Sequence, residues 1–199
     1  MRGRGYAAVD VEATCLDPNN CRLVSVAVVP FDGHTLDLSG VVYYSEPPRT
    51  VGASALVHGV TGSCRAEGWF EDVLRAVRGR VLVVYGRHDV EFLAAEARRR
   101  RVGAEELCYV DVLSWLLSVP SIRGRAVEAG RLTLEDALSA TLGLHMPPRR
   151  FHDPVSDAVH AALLFIHLRR EFGRPPVRCM PRARRPRLRW LFKMLGRGS

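Results

Sequence analysis

Residues 6–44 read YAAVDVEATCLDPNNCRLVSVAVVPFDGHTLDLSGVVYY. At the centre, Arg22–Phe31 is a nearly unbroken run of β-branched and apolar residues, the pattern of a strand buried on both faces. Asp32-Gly33 behind it is a hairpin signal leading into Thr35–Tyr44. In front of it, Tyr6–Val11 is a short β-prone run, set off by a loop rich in Asp17, Pro18, Asn19 and Asn20. Three strands joined by short connections predict an antiparallel meander.

After Pro47-Pro48 the pattern turns helical, with Ser54–His58 and then Glu67–Arg78. Val81–Tyr85 reads as a buried strand, Asp89–Arg101 as a helix and Leu107–Val112 as another strand. Helices follow near Leu132–Leu142 and over Pro154–Glu171. A meander followed by alternating helix and strand predicts an α/β fold with a mixed five-stranded sheet, helices on both faces. Residues 1–172 form one expected domain. Gly173–Arg187, carrying Pro175, Pro176, Pro181 and Pro186, reads as a linker into a basic tail, so that 173–199 stand apart from the body.

The chain has 199 residues, 47% hydrophobic and 25% charged, enough for one ordinary core and unlike a disordered polymer or a disulfide scaffold. No apolar run reaches the roughly 18 residues of a membrane span, and no charged-then-apolar leader opens the chain, so a cytoplasmic protein is expected. The net charge of +8 is concentrated at one end. Nine of the 29 Lys and Arg residues lie between Arg174 and Ser199, where there is no acid; the other 20 face 21 acids, leaving the body at −1. The basic excess therefore speaks for the tail's partner and not for the body's chemistry. On a helical wheel Leu188, Leu191, Phe192 and Leu195 form a stripe opposite Arg189 and Lys193, suited to a nucleic-acid backbone, a protein groove or an anionic surface.

Five cysteines at 15, 21, 64, 108 and 179 show neither CxxC nor zinc-like spacing, and the odd count predicts reduced thiols. Gln is absent and Asn occurs only at 19 and 20, a depletion of thermolabile amides that hints at a thermophilic source.

Asp10 and Glu12 lie two apart on an otherwise apolar strand, so their side chains share a face about 7 Å apart. Adjacent carboxylates at such a strand end repel one another and call for a cation or a shared proton. Taken singly, the pair reads as strand-end charge. Asp89 follows the strand Val81–Tyr85 and opens a helix, the position of an N-cap and also the strand end at which α/β sites collect. Asp153-Pro154 is a cap followed by Pro at the first helical position. That places Asp157 one turn into the helix and His152 just before the cap. A histidine within reach of a carboxylate-bound metal can accept a proton from water near neutral pH. His160 and His167 read as packing or surface histidines, and Arg98–Arg101 as a solvated helix C-terminus.

In order, these segments resemble the DEDDh 3′–5′ exonucleases, the DnaQ-like group that includes polymerase proofreading subunits. Val9-Asp-Val-Glu-Ala-Thr-Cys-Leu16 is similar to the D-x-E-T-T-G-L first motif. Val57-His-Gly-Val-Thr61 resembles H-G-I-T, and Asp89-Val-Glu-Phe-Leu93 the F-D-x-x-F-L of the second motif. Asp111-Val-Leu113 resembles the D-T-L that follows, and His152-Asp-Pro-Val-Ser-Asp-Ala158 the H-x-A-L-x-D-A of the third. The likeness spans residues 6–168. Ala13 and Cys15 depart from the first motif's Thr and Gly. Val84-Tyr85 replaces the His-Asn before the second Asp, and His88 stands where Phe is common.

The resemblance implies an RNase H-like fold and two divalent cations, Mg²⁺ or Mn²⁺. Asp10 would bridge both, Glu12 and Asp157 would complete one site, and Asp89 would hold the other. Hard cations suit such an all-oxygen donor set. His152 would take the proton of the attacking water, releasing a nucleoside 5′-monophosphate. Ala13, Thr14, Leu16, Val57 and His58 would grip the terminal nucleotide. The implied substrate is single-stranded nucleic acid, DNA before RNA, and the implied tail partner is a DNA polymerase or another protein. A non-catalytic binding platform on the same fold is the rival reading, against which the five costly clustered groups argue.

Overall fold

The computed structural model describes residues 5–45, 68–102, 106–123, 132–147 and 152–180. The meander forms as expected, with β1 (Tyr6–Ala13), β2 (Leu23–Phe31) and β3 (Val42–Ser45) antiparallel in sequence. β4 (Val81–Val84) pairs parallel with β1, and β5 (Cys108–Asp111) parallel with β4. All nine residues of β2 are buried, as its apolar run requires.

The predicted strand Thr35–Tyr44 is shorter than its β propensity suggests. Asp37 accepts hydrogen bonds from the backbone N–H groups of Ser39 and Gly40, turning Leu38–Gly40 into a 3-10 turn and delaying the strand to Val42. The predicted helix Ser54–His58 lies outside the described residues. α1 (Trp69–Val77) starts after Gly68, whose φ of 76° suits glycine.

α2 (His88–Arg99) follows β4, and α3 (Val112–Ser118) follows β5 directly. α4 (Leu134–Leu142) opens with a capping box between Thr133 and Asp136. α5 (Pro154–Phe172) opens, as the sequence indicates, with Asp153 accepting from Val155 and Ser156 and with Pro154 in the first turn.

Two expectations are corrected. Arg178–Cys179, inside the expected linker, forms a sixth strand, β6, antiparallel to β5, giving the order β3-β2-β1-β4-β5-β6. The expected reduced thiols are also replaced, by disulfides Cys15–Cys21 and Cys108–Cys179. The second explains the first. A bridge across 71 residues of sequence anchors a two-residue strand too short to hold by its own hydrogen bonds.

Strand alternation divides the core into two layers. Ala7, Val9, Val26, Val28, Leu82 and Val84 face α1 and α2, packing on Phe70, Val73 and Leu93. Ala8, Ala27, Val29, Val83 and Val110 face α3, α4 and α5, packing on Trp115, Leu138, Phe165 and Leu168. α5 lies across β1, β2 and β4. No helix among the described residues is long and apolar enough to cross a membrane.

Candidate active site

Because β1, β4 and β5 run in the same direction, their C-terminal ends meet at one edge of the sheet. Asp10 and Glu12 are the last polar residues of β1, opposite Ala27 and Ser25 of β2, and a register irregularity follows at Glu12/Ala13. They continue the even-numbered positions that begin with Ala8, so they occupy the face covered by α5. The first turn of α5 brings Asp157 to the same end.

Asp157 is almost completely buried, at 4% exposure. The Nδ1 of His152 lies 3.3 Å from its Oδ2, and His152 keeps an open side toward solvent. One donor atom each from Glu12, His152 and Asp157 falls within 4.8 Å of the others, close enough to share a cation.

Asp89 is not the N-cap that its position allows. α2 begins at His88 without a side-chain cap, and the Asp89 carboxylate accepts the backbone N–H of Val11, the residue between Asp10 and Glu12. Its pKa is pushed well above the usual carboxylate range, first by burial and then by the negative charges of Glu12, Asp111 and Asp157; the Val11 bond opposes this. Buried carboxylates of like sign that raise one another in this way are an unfavourable arrangement until positive charge is supplied. The all-oxygen set of Asp10, Glu12, Asp89 and Asp157 therefore fits hard divalent ions.

The remaining expected site residues fall out differently. Ala13 ends β1. The Thr14 hydroxyl accepts the backbone N–H of Arg22 at 3.0 Å, so it closes the β1–β2 loop. Leu16 is 82% exposed, which removes it from the core. Val57 and His58 lie outside the described residues.

Three features escaped the sequence reading. The backbone carbonyls of Leu132 and Thr133 receive the Tyr85 hydroxyl at 3.0 and 2.9 Å, and burial pushes its phenol above the ordinary range. This ties the end of β4 to the start of α4. Asp111 accepts from Gly86 N, Ser114 N and Ser114 Oγ, joining the ends of β4 and β5; Asp followed three residues on by Ser before an apolar run is the signal that marks it. His160, read as a packing or surface histidine, sits with Nδ1 4.0 Å from Asp157 Oδ1.

The Arg98–Arg101 run is likewise more than a solvated end. Arg99 and Arg100 both bind the buried Glu96, and Arg100 stacks over Trp69 and Phe70.

This fold is similar to that of several solved nuclease structures, among them a DEDDh family member. The nuclease domain of 3'hExo, a DEDDh family member bound to rAMP, superposes with a TM-score of 0.67 at 16% identity, over 90% of this chain and 97% of that one. The zinc-bound E. coli ExoI–ssDNA complex gives 0.63 at 14% identity, over 85% of this chain and 41% of that one. S. pombe Pop2p with Mg²⁺ and Mn²⁺ bound gives 0.55 at 9% identity, over 84% and 83%. No protein-family profile matches the sequence, and no curated protein sequence matches it.

Proposed function

We propose that this chain is a metal-dependent 3′–5′ exonuclease that removes nucleoside 5′-monophosphates from single-stranded or frayed DNA ends. The observation that carries the reading is the meeting of Glu12, Asp157 and His152, with Asp89 within the field of Glu12 and Asp157, at the end of the strand that also carries Asp10. Those carboxylates would hold two divalent ions, which would neutralise charge on the scissile phosphate and acidify the attacking water.

The chain's own residues do the rest. Asp157 Oδ2 holds His152 through Nδ1, which leaves Nε2 as the acceptor for the proton of the attacking water. The Val11 N–H fixes the Asp89 carboxylate beside the β1 acids. Ala13, Thr14, Leu16, Val57 and His58 border the terminal nucleotide, with Thr14 acting through the loop it closes.

RNA is the second substrate reading, favoured by the rAMP held in the 3'hExo domain, as ExoI with its ssDNA favours the first. Residues 1–172, extended by β6 at Arg178–Cys179, form the catalytic domain, and the basic residues beyond it up to 199 form the tail, which contacts nucleic acid or a protein such as a polymerase; proofreading or repair is the corresponding role. A cytoplasmic location fits if the source is a hyperthermophile, since intracellular proteins there carry disulfides.

The test is digestion of matched 5′-labelled DNA and RNA single strands with Mg²⁺, Mn²⁺ or chelator, beside Asp10→Ala. A metal-dependent ladder shortening from the 3′ end and absent in the variant supports the reading, and the faster strand names the substrate. Folded protein that leaves both strands intact with either metal contradicts it.

A further inference from the structure

The loop between β1 and β2 begins two residues after Glu12 and is tied down more heavily than its nine residues, Thr14–Arg22, require. Its neck is closed by Thr14 N to Arg22 O and by Arg22 N to Thr14 Oγ1, both 3.0 Å. Inside, Asp17 O accepts from Asn20 N at 3.1 Å and Cys21 N at 2.8 Å, and Asp17 Oδ1 accepts from Asn19 N at 2.9 Å. The Cys15–Cys21 bridge spans these turns, and Cys21 is buried in the core beneath α2.

A second tie comes from outside the loop. Arg99, at the end of α2, donates from Nη2 to the carbonyls of Pro18 and of Cys21, the latter at 2.6 Å. Its Nη1 is fixed by Glu96 Oε2 at 2.8 Å. Glu96 is 6% exposed, and its other oxygen takes Arg100 Nε at 2.7 Å. A buried carboxylate holding an arginine that in turn caps two loop carbonyls keeps all of these polar groups satisfied. The loop so fixed presents one large apolar side chain, Leu16, to water at 82% exposure. Nothing in folding rewards that display. A bound substrate would.

We propose that the Cys15–Cys21 bridge and the Glu96–Arg99 clamp are positioning devices, which fix the loop after Glu12 as a preformed edge for the terminal nucleotide. The idea rests on the exonuclease reading and adds to it that substrate grip depends on a thiol–disulfide pair. A loop held in its binding shape loses little freedom on binding, whereas a released loop must be ordered each time. Opening the bridge therefore weakens binding while the carboxylates, carried by β1, α2 and α5, stay in place.

The experiment compares exonuclease kinetics of the full chain, air-oxidised and dithiothreitol-reduced, with Cys15→Ser/Cys21→Ser and Arg99→Met. Reduction adds two electrons and two protons to the S–S bond, giving two thiols, while dithiothreitol closes to its cyclic disulfide. The expected result is a KM raised roughly tenfold on reduction, with kcat held within about twofold. The double variant matches the reduced protein and ignores reductant, which separates this bridge from Cys108–Cys179. Arg99→Met raises KM with the bridge intact and serves if the double variant does not fold. Trypsin cleavage after Arg22 is faster in the reduced chain.

A KM unchanged when mass mapping shows Cys15 and Cys21 reduced overturns the proposal. So does finding both thiols free in unreduced protein. Protein inactive in both redox states overturns the exonuclease reading and the loop's part in substrate binding with it. Full activity indifferent to the bridge and to Arg99 overturns the positioning role alone.

Discussion

Replacing Asp89 by Asn should stabilise the protein in the absence of metal, although the residue is buried and belongs to the candidate site. Asp89 is 8% exposed, and Glu12, Asp111 and Asp157 all act on it with the same sign. Its pKa is raised from the ordinary value near 3.8, so the native state binds this proton more tightly than the unfolded chain does. The resulting stability is complete below the unfolded value and is lost as pH rises through the native one.

Asn keeps an oxygen for the Val11 N–H and carries no charge at any pH. The difference between variant and wild type is therefore small in acid and grows to a plateau as pH rises past the native pKa. Each unit of displacement corresponds to about 1.4 kcal/mol. About 1 kcal/mol moves the melting temperature of a chain this size by roughly 2–4 °C, so the variant should melt above the wild type near neutrality and level with it in acid. Melting curves of both proteins in chelator from pH 4 to 8 measure it. Saturating Mg²⁺ or Mn²⁺ should then reverse the order, because the wild type gains from the ion and the variant gains little. A variant less stable than wild type in chelator at neutral pH would refute the reasoning, since it would mean that Asp89 is held by favourable contacts and not by mutual repulsion.

Other consequences are simpler to check. His152→Ala should lower kcat by roughly 10²–10⁴ with the melting temperature nearly unchanged; stopped-time digestion and thermal melting read the two. Phe165 is fully buried against Tyr6, Phe31 and Trp115, so Phe165→Ala should cost about 3–5 kcal/mol in urea denaturation. Removing the Cys108–Cys179 bridge, whose cysteines are 71 residues apart, should cost on the order of 4 kcal/mol if chain entropy dominates. Alkylation of unreduced, denatured protein should label one cysteine of five, Cys64.

Much of this molecule was readable in the sequence because periodicity carries it. The apolar run at Leu23–Phe31, the Asp32-Gly33 turn, the buried Val81–Val84 and the Asp153-Pro154 helix start each have a local physical signature, and each stands where the residues indicate. The local pattern also puts Asp10 and Glu12 on one face of β1 and Asp157 in the first turn of α5, but their meeting with each other and with Asp89 depends on how these elements pack.

What was not readable depends on partners distant in sequence. α3 is the exception, because its cap Asp111 is local and, with Ser114 three residues on, was there to be read. β6 exists because Cys179 meets Cys108, and five scattered cysteines do not reveal their pairing. Arg99 reads as the solvated end of a helix until the fold sets Glu96 beneath it and the Pro18–Cys21 carbonyls in front. Thr14, expected at the substrate, gives its hydroxyl to Arg22, a neighbour visible only once the loop is closed.

The central claim is that these carboxylates cut phosphodiesters one at a time from a free 3′ end. The most direct measurement gives the enzyme, in Mn²⁺, a linear single strand and the same strand covalently circularised, and follows products by mass spectrometry beside Asp10→Ala. Nucleoside 5′-monophosphates are expected from the linear strand, none from the circle, and none from either with the variant. Release of oligonucleotides from the circle, or equal release by the variant, would contradict it.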